Sequence, residues 1–228
     1  MKVRENEEMR QRILDALKWE SRPYKPKNWH VSKLVCCRRA AYYWRKGERS
    51  IPPDVDSLTL TFARGRAHHE VLEVFDVKEK RFVLDEVIGH IDMIGDRVCE
   101  IFTTVVGLNR VEVPEDATRV FTIKVCQLMC YLKAEEQTSG DLIIFYLFGD
   151  YSRPIKPELK VYTFEWEKKE IDLHWNYRLG VGAQIDELIE LDTPPTEVGE
   201  DYECTNCGYR RFCSDVLTPR EFTDVILR

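Results

Sequence analysis

Three cysteines near the C-terminal end constrain this chain most: Cys204, Cys207 and Cys213, spaced as CTNC, then GYRRF, then C. A CxxC puts two sulfurs on one tight turn, Gly208 eases the backbone after it, and Cys213 returns one or two turns later. Three thiolates leave a metal centre one ligand short. The upstream donors are Cys36 and Cys37, which sit in a basic segment. Four thiolates suit an iron–sulfur cluster or a zinc ion. Zinc sites more often show two CxxC pairs, so one-plus-three points to iron–sulfur. Such a centre closes a loop of roughly 170 residues, which loop-closure arguments value at about 5 kcal/mol.

Eight cysteines in a chain read as intracellular favour metal binding over disulfides. The expectation of a cytoplasmic location rests on two features. No apolar run is long enough to span a membrane, and residues 1–20 are too acidic and amphipathic for a secretory signal. The other cysteines, Cys36 (if Cys37 is the ligand), Cys99, Cys126 and Cys130, read as small buried hydrophobes. At 228 residues, 43% apolar and 32% charged, the chain has enough material for one sizeable core and lacks the profile of disorder.

The net charge of −6 argues at first against nucleic acid. Its distribution reverses that. Residues 22–50 carry nine cations and one acid, whereas residues 185–203 carry eight acids and no cation. Tyr24, Trp29, Tyr42, Tyr43 and Trp44 interleave with the cations. Cations track phosphates and aromatic faces stack bases, so this segment is the expected DNA surface, with Arg38 and Arg39 foremost and Arg210 and Arg211 extending it. Burial of Tyr43 and Trp44 in the core is the competing expectation.

Periodicity predicts helices over 5–19, from Ser32 as cap to about 46, over 57–75, over 117–136 and over 171–191. Strands are predicted within KRFVLDEVIGHIDMIGDRVCEIFTT, with a turn at Gly95-Asp96, and within DLIIFYLF and LKVYTFEWE. The order is α/β with a mixed central sheet, in a single domain, 1–228. Residues 1–50 hold the N-terminal helices and first cluster cysteine, 51–191 the core, and 192–228 the cysteine segment.

Asp92 and Glu100 lie on successive strands, and Val98, Glu100 and Phe102 share one face. Two converging carboxylates form a hard oxygen site for Mg²⁺ or Mn²⁺, which can activate water and neutralise a phosphodiester transition state. Gly65, His69 and Glu73 share one helix face, as do Lys124, Gln127 and Tyr131.

In order along the chain, VSKLVCCRRAAYY, GRAHHEVLE, GHID, EIFTT, QLMCY and CTNC-GYRRF-C resemble the CRISPR-associated RecB-like exonuclease family of the PD-(D/E)XK superfamily. The likeness spans about residues 31–213. It implies a restriction-endonuclease-like core and a helical iron–sulfur region formed by the two chain ends. It also implies a Mn²⁺- or Mg²⁺-dependent deoxyribonuclease acting on single-stranded DNA ends. The implied role is processing DNA fragments for CRISPR spacer acquisition, with the spacer-integration complex as partner and homo-oligomers as a further expectation. By this match the cluster ligands are Cys37 rather than Cys36, with Cys204, Cys207 and Cys213. The cluster is 4Fe–4S, with 2Fe–2S or zinc as alternatives. His69, Asp92, Glu100 and the Ile101 carbonyl are metal ligands, and Gln127 and Tyr131 position the DNA or the catalytic groups.

One departure matters. Phe102 stands where the family's E-x-K motif has its lysine. Losing an electrostatic group of that kind costs about 10²–10³ in rate. Either Lys124 replaces it, or the chain is a catalytically impaired DNA-binding or scaffold subunit. A viral or host recombination nuclease of the same fold is the third alternative.

Overall fold

The computed structural model describes residues 11, 26–51, 77–151, 153–197, 199, 203–204 and 207–213. Apart from residue 11, the expected helices over 5–19 and 57–75 fall outside these, and His69 with the second.

A six-stranded mixed sheet organises the fold. In chain order the elements are β1 (Trp29–His30), α1 (Val31–Leu34), α2 (Arg38–Lys46), β2 (Val77–Leu84), β3 (Val87–Ile94), β4 (Arg97–Thr104), α3 (Asp116–Val120), α4 (Thr122–Ala134), β5 (Ser139–Tyr146), β6 (Glu158–Glu165) and α5 (Lys168–Glu190). β2, β3 and β4 form an antiparallel meander. β5 lies parallel to β4 and antiparallel to β6. Parallel pairing requires a crossover, and α3 and α4 supply it.

The strands follow their sequence patterns. LIIFY in β5 is apolar on both faces, as a central strand must be, and Leu142, Ile143, Ile144 and Tyr146 are buried. β6 alternates: Lys160, Tyr162 and Phe164 are half-buried, whereas Leu159, Val161 and Thr163 are exposed. On β4, Val98 joins the main core with Phe102 packed against it, and Cys99 and Ile101 form a small second core with Ile143. Gly95, with φ of +58°, turns β3 into β4 as expected. The β2–β3 turn uses Asp85 and Glu86, both at positive φ, without a glycine to announce it.

α5 begins at a capping box formed by Glu167 and Glu170, and its buried stripe is Ile171, Trp175, Val181 and Ile185. It packs on α4 and α2. The Trp29 indole donates to Asp186 on α5 at 3.0 Å, and Arg45 reaches the same carboxylate from α2 at 2.8 Å.

Two predicted helices are broken. The stretch from Ser32 splits into α1 and α2, with Cys37 extended between them at φ −47°, ψ 123°. Ser32 caps nothing, because His30 is the residue before α1. The stretch from 117 splits at Phe121, which packs its ring against Phe102 and Tyr146 instead of continuing the helix. In both places a tertiary requirement overrides good local helix propensity.

The C-terminal segment meets α2. The Tyr43 ring stacks on Phe212, with centroids 4.3 Å apart, and on Tyr209 at 6.4 Å. The Ile51 N–H donates to the Gly208 carbonyl at 2.8 Å.

Candidate functional site

The sheet forks where the acids sit. β2 occupies one edge of β3 along its whole length. The opposite edge is divided: β4 pairs with Asp92–Ile94, and β1 pairs with Val87 and Ile88. Asp92 is therefore the last residue of β3 in register with β4, opposite Cys99. Glu100 and Ile101 lie just past the point where the ladder ends.

Into that gap the Asp92 side chain accepts the Ile101 backbone N–H at 3.1 Å, replacing a strand partner. In a strand the N–H and C=O of one residue point to the same edge, so the Ile101 carbonyl faces the fork too. Asp92 and Glu100 are 8% and 5% exposed, which for carboxylates demands partners. Lys124 supplies one, its Nζ lying 2.7 Å from Glu100 Oε1. The same ammonium sits 5.5 Å from the centre of the Phe102 ring.

Tyr131 closes the site from α4. Burial raises its hydroxyl pKa, and the charges of Glu100 and Asp92 raise it further. Gln127 Nε2 donates to Tyr131 Oη at 3.4 Å. From below, the Phe82 ring meets Tyr131 edge-on at 6.1 Å. That ring lies flat across Gly89, where a Cβ would come within 2.1 Å of it. Lys124, Gln127 and Tyr131 share one face of α4, and Lys124 meets Glu100. Phe102 packs edge-to-face with Phe121 at 5.2 Å and has joined the core.

Two carboxylates and a main-chain carbonyl are hard oxygen donors suited to Mg²⁺ or Mn²⁺. His69, the remaining expected ligand, lies outside the described residues. Among the described residues no group of three or more His, Cys, Asp or Glu side chains is arranged to hold a single metal ion.

At the break between α1 and α2, Cys37 meets Glu203, the residue before Cys204. Burial first, then the charges of Cys37, Cys207 and Cys213, push the Cys204 thiol up to about 11. Cys207 and Cys213 are likewise raised, first by burial and then in part by Cys37. Cys37, Cys204, Cys207 and Cys213 make up an all-sulfur donor set, whose chemistry suits an iron–sulfur cluster. Cys36 donates to the Lys33 carbonyl at 3.3 Å, and burial raises its pKa to about 12. Cys99 and Cys130 are fully buried, as expected of small hydrophobes, while Cys126 is half-buried.

Glu203 escaped the sequence reading. Its carboxylate accepts the Cys37 backbone N–H at 2.8 Å. An acid directly before the CxxC was the signal. Beside it opens a cavity of about 550 Å³ lined by Cys36, Cys37, Arg38, Arg119 and Glu197 among others.

The expected DNA surface needs correction. Arg39 is 2% exposed, and its guanidinium donates to the Pro195 and Phe212 carbonyls at 2.7 and 2.8 Å. It clamps the C-terminal segment instead of facing DNA, because α2 turns that side inward. Arg210 is buried as well, and Arg211 donates to the Arg49 carbonyl at 2.5 Å. Trp29, Tyr42 and Tyr43 are core residues. Arg38 remains partly exposed, bound to Glu197 at 3.2 Å and to the Tyr177 hydroxyl at 3.0 Å.

The mixed α/β fold is shared with solved structures of low sequence identity. The chain matches the crystal structure of SSO0001 with a TM-score of 0.53 at 16% identity, over 92% of this chain and 98% of that one. It matches a phage-related exonuclease from Haemophilus somnus 129PT with a TM-score of 0.50 at 8% identity, over 75% and 98% of the two chains. At such identities the likeness is one of fold. No family model and no curated protein matches the sequence. Among the described residues no helix is long and apolar enough to cross a membrane.

Proposed function

We propose that this chain is a metal-dependent DNA exonuclease acting on single-stranded DNA ends, with a four-cysteine iron–sulfur cluster joining its two ends. The observation that carries the reading is the contact of Lys124 with Glu100 in the fork beside Asp92. A lysine from α4 thereby stands at the acids although Phe102 occupies the usual lysine position.

In this reading Asp92, Glu100, the Ile101 carbonyl and His69 hold Mn²⁺ or Mg²⁺. The bound ion supplies Lewis acidity toward water and phosphate. The chain's own groups do the remaining work. Lys124 offsets negative charge as it develops on the phosphate. Tyr131, held protonated, offers a hydroxyl donor, and Gln127 orients it. Phe82 packs edge-on against Tyr131, and the Phe102 ring lies beside the Lys124 ammonium. Cys37, Cys204, Cys207 and Cys213 hold a 4Fe–4S cluster that fixes α2 to the C-terminal segment, and Arg38 is the remaining candidate for contact with the DNA backbone. The sequence resemblance supports a place in processing DNA fragments for CRISPR spacer acquisition, alongside the integration complex.

The test is incubation of end-labelled single-stranded DNA with Mn²⁺. Wild-type protein is expected to shorten the DNA, and Asp92→Ala is expected to leave it intact. An inactive wild type, or an Asp92→Ala variant as active as wild type, overturns catalysis. One observation favours a second reading: Phe102 is committed to the core. A DNA-binding or scaffold subunit of the same fold then binds DNA with strong salt dependence and cleaves nothing.

A further inference from the structure

We propose that Glu203 is the positioning and charge-setting residue of the cysteine centre, an inference that rests on reading Cys37, Cys204, Cys207 and Cys213 as one cluster. Cys37 stands at the N-cap of α2, where the backbone N–H has no partner within the helix. Glu203, 166 residues away in sequence, accepts that N–H at 2.8 Å. The bond joins the isolated upstream cysteine to the residue beside Cys204. It acts at the helix break that separates Cys37 from α1, so it sets the direction in which Cys37 leaves the backbone.

Gly199 makes the arrangement compact. A Cβ there would lie 2.7 Å from Glu203 Oε2 and 2.9 Å from Cys37 Cβ. The Gly199 carbonyl lies 3.8 Å from Cys204 Sγ. Cys37, Gly199, Glu203 and Cys204 are therefore one packed unit, and only glycine fits at 199 without displacing the carboxylate.

The chemistry follows from charge. A thiolate-bound cluster becomes more negative when it accepts an electron. A carboxylate bonded to the Cys37 N–H and packed with Cys204 around Gly199 opposes that change. Glu203 also takes for itself the Cys37 N–H, a donor that could otherwise hydrogen-bond a cluster sulfur. Both effects lower the reduction potential and favour the oxidised cluster, as suits a centre whose task is to join two chain ends.

The test uses the full chain purified anaerobically. Glu203→Gln retains an oxygen to accept the N–H but loses the charge. Its iron content is expected to equal wild type, and its midpoint potential to move positive. Glu203→Ala loses both, so it is expected to show the positive shift and to retain iron roughly 10–100-fold less tightly against a chelator. Gly199→Ala is expected to follow Glu203→Ala, because its methyl group displaces the carboxylate. Should Glu203→Ala fail to fold, Glu203→Gln decides alone. Equal midpoint potentials in wild type and Glu203→Gln overturn the charge-setting role, and undiminished iron retention in Glu203→Ala overturns the positioning role. An iron-free wild type overturns the cluster reading itself, and this inference with it.

Discussion

Lys124 and Phe102 show how one electrostatic requirement can be met from a different element. On β4, position 102 shares a face with Glu100, but its side chain is an aromatic ring turned against Phe121. The ammonium comes instead from α4 and reaches Glu100 at 2.7 Å over that same ring. The contact sits in a buried pocket on the carboxylate side, so it is worth more than a surface pair. Lys124→Met is expected to reduce kcat on single-stranded DNA by about 10²–10³, with little change in DNA affinity. Adding Phe102→Lys to that variant is expected to recover part of the loss, since a lysine at 102 faces the same carboxylate. Steady-state kinetics on end-labelled DNA check both. Unchanged kcat in Lys124→Met assigns the lysine to Glu100's burial alone.

At the scale of elements, the junction of α4 and α5 carries a titratable group the catalytic reading leaves unused. His174 Nε2 meets the Cys126 carbonyl at 3.2 Å, next to Gln127. Burial first, and the neighbouring Arg178 guanidinium second, lower its pKa to about 4. Unfolded, the same imidazole titrates near its ordinary value of about 6.5. Between those two values the unfolded chain binds more protons than the folded one, so stability falls as pH drops through that window. Urea midpoints measured at pH 7 and pH 5 are expected to differ by less in His174→Gln than in wild type. An unchanged difference removes His174 as a source of acid sensitivity.

For the whole molecule, the proposed cluster would join α2 to the C-terminal cysteines. Cys204→Ala is expected to remove the iron and lower global stability, with loop closure setting a scale of about 5 kcal/mol. Cys36→Ser is expected to retain the iron, since Cys36 bonds the Lys33 carbonyl. Thermal melts with iron analysis check both. Wild-type stability in Cys204→Ala means the centre is not structural. The ends have other ties besides: the Tyr43–Phe212 stack and the Arg39 clamp, neither of which needs iron.

Local pattern alone determined a good deal here. The strands through Asp92 and Glu100, the turn at Gly95, the shared face of Lys124, Gln127 and Tyr131, and the one-plus-three cysteine spacing all follow from side-chain periodicity and backbone preference, which act over a few residues. Tertiary structure decided what depends on distant neighbours. It broke the helices at Cys37 and Phe121, since each residue is held by a partner that local propensity does not register. It buried Arg39 and Arg210, because a cation's place depends on which face its element turns inward. It also opened the sheet at Asp92, where two strands compete for one edge of a third, a competition between segments far apart in the chain.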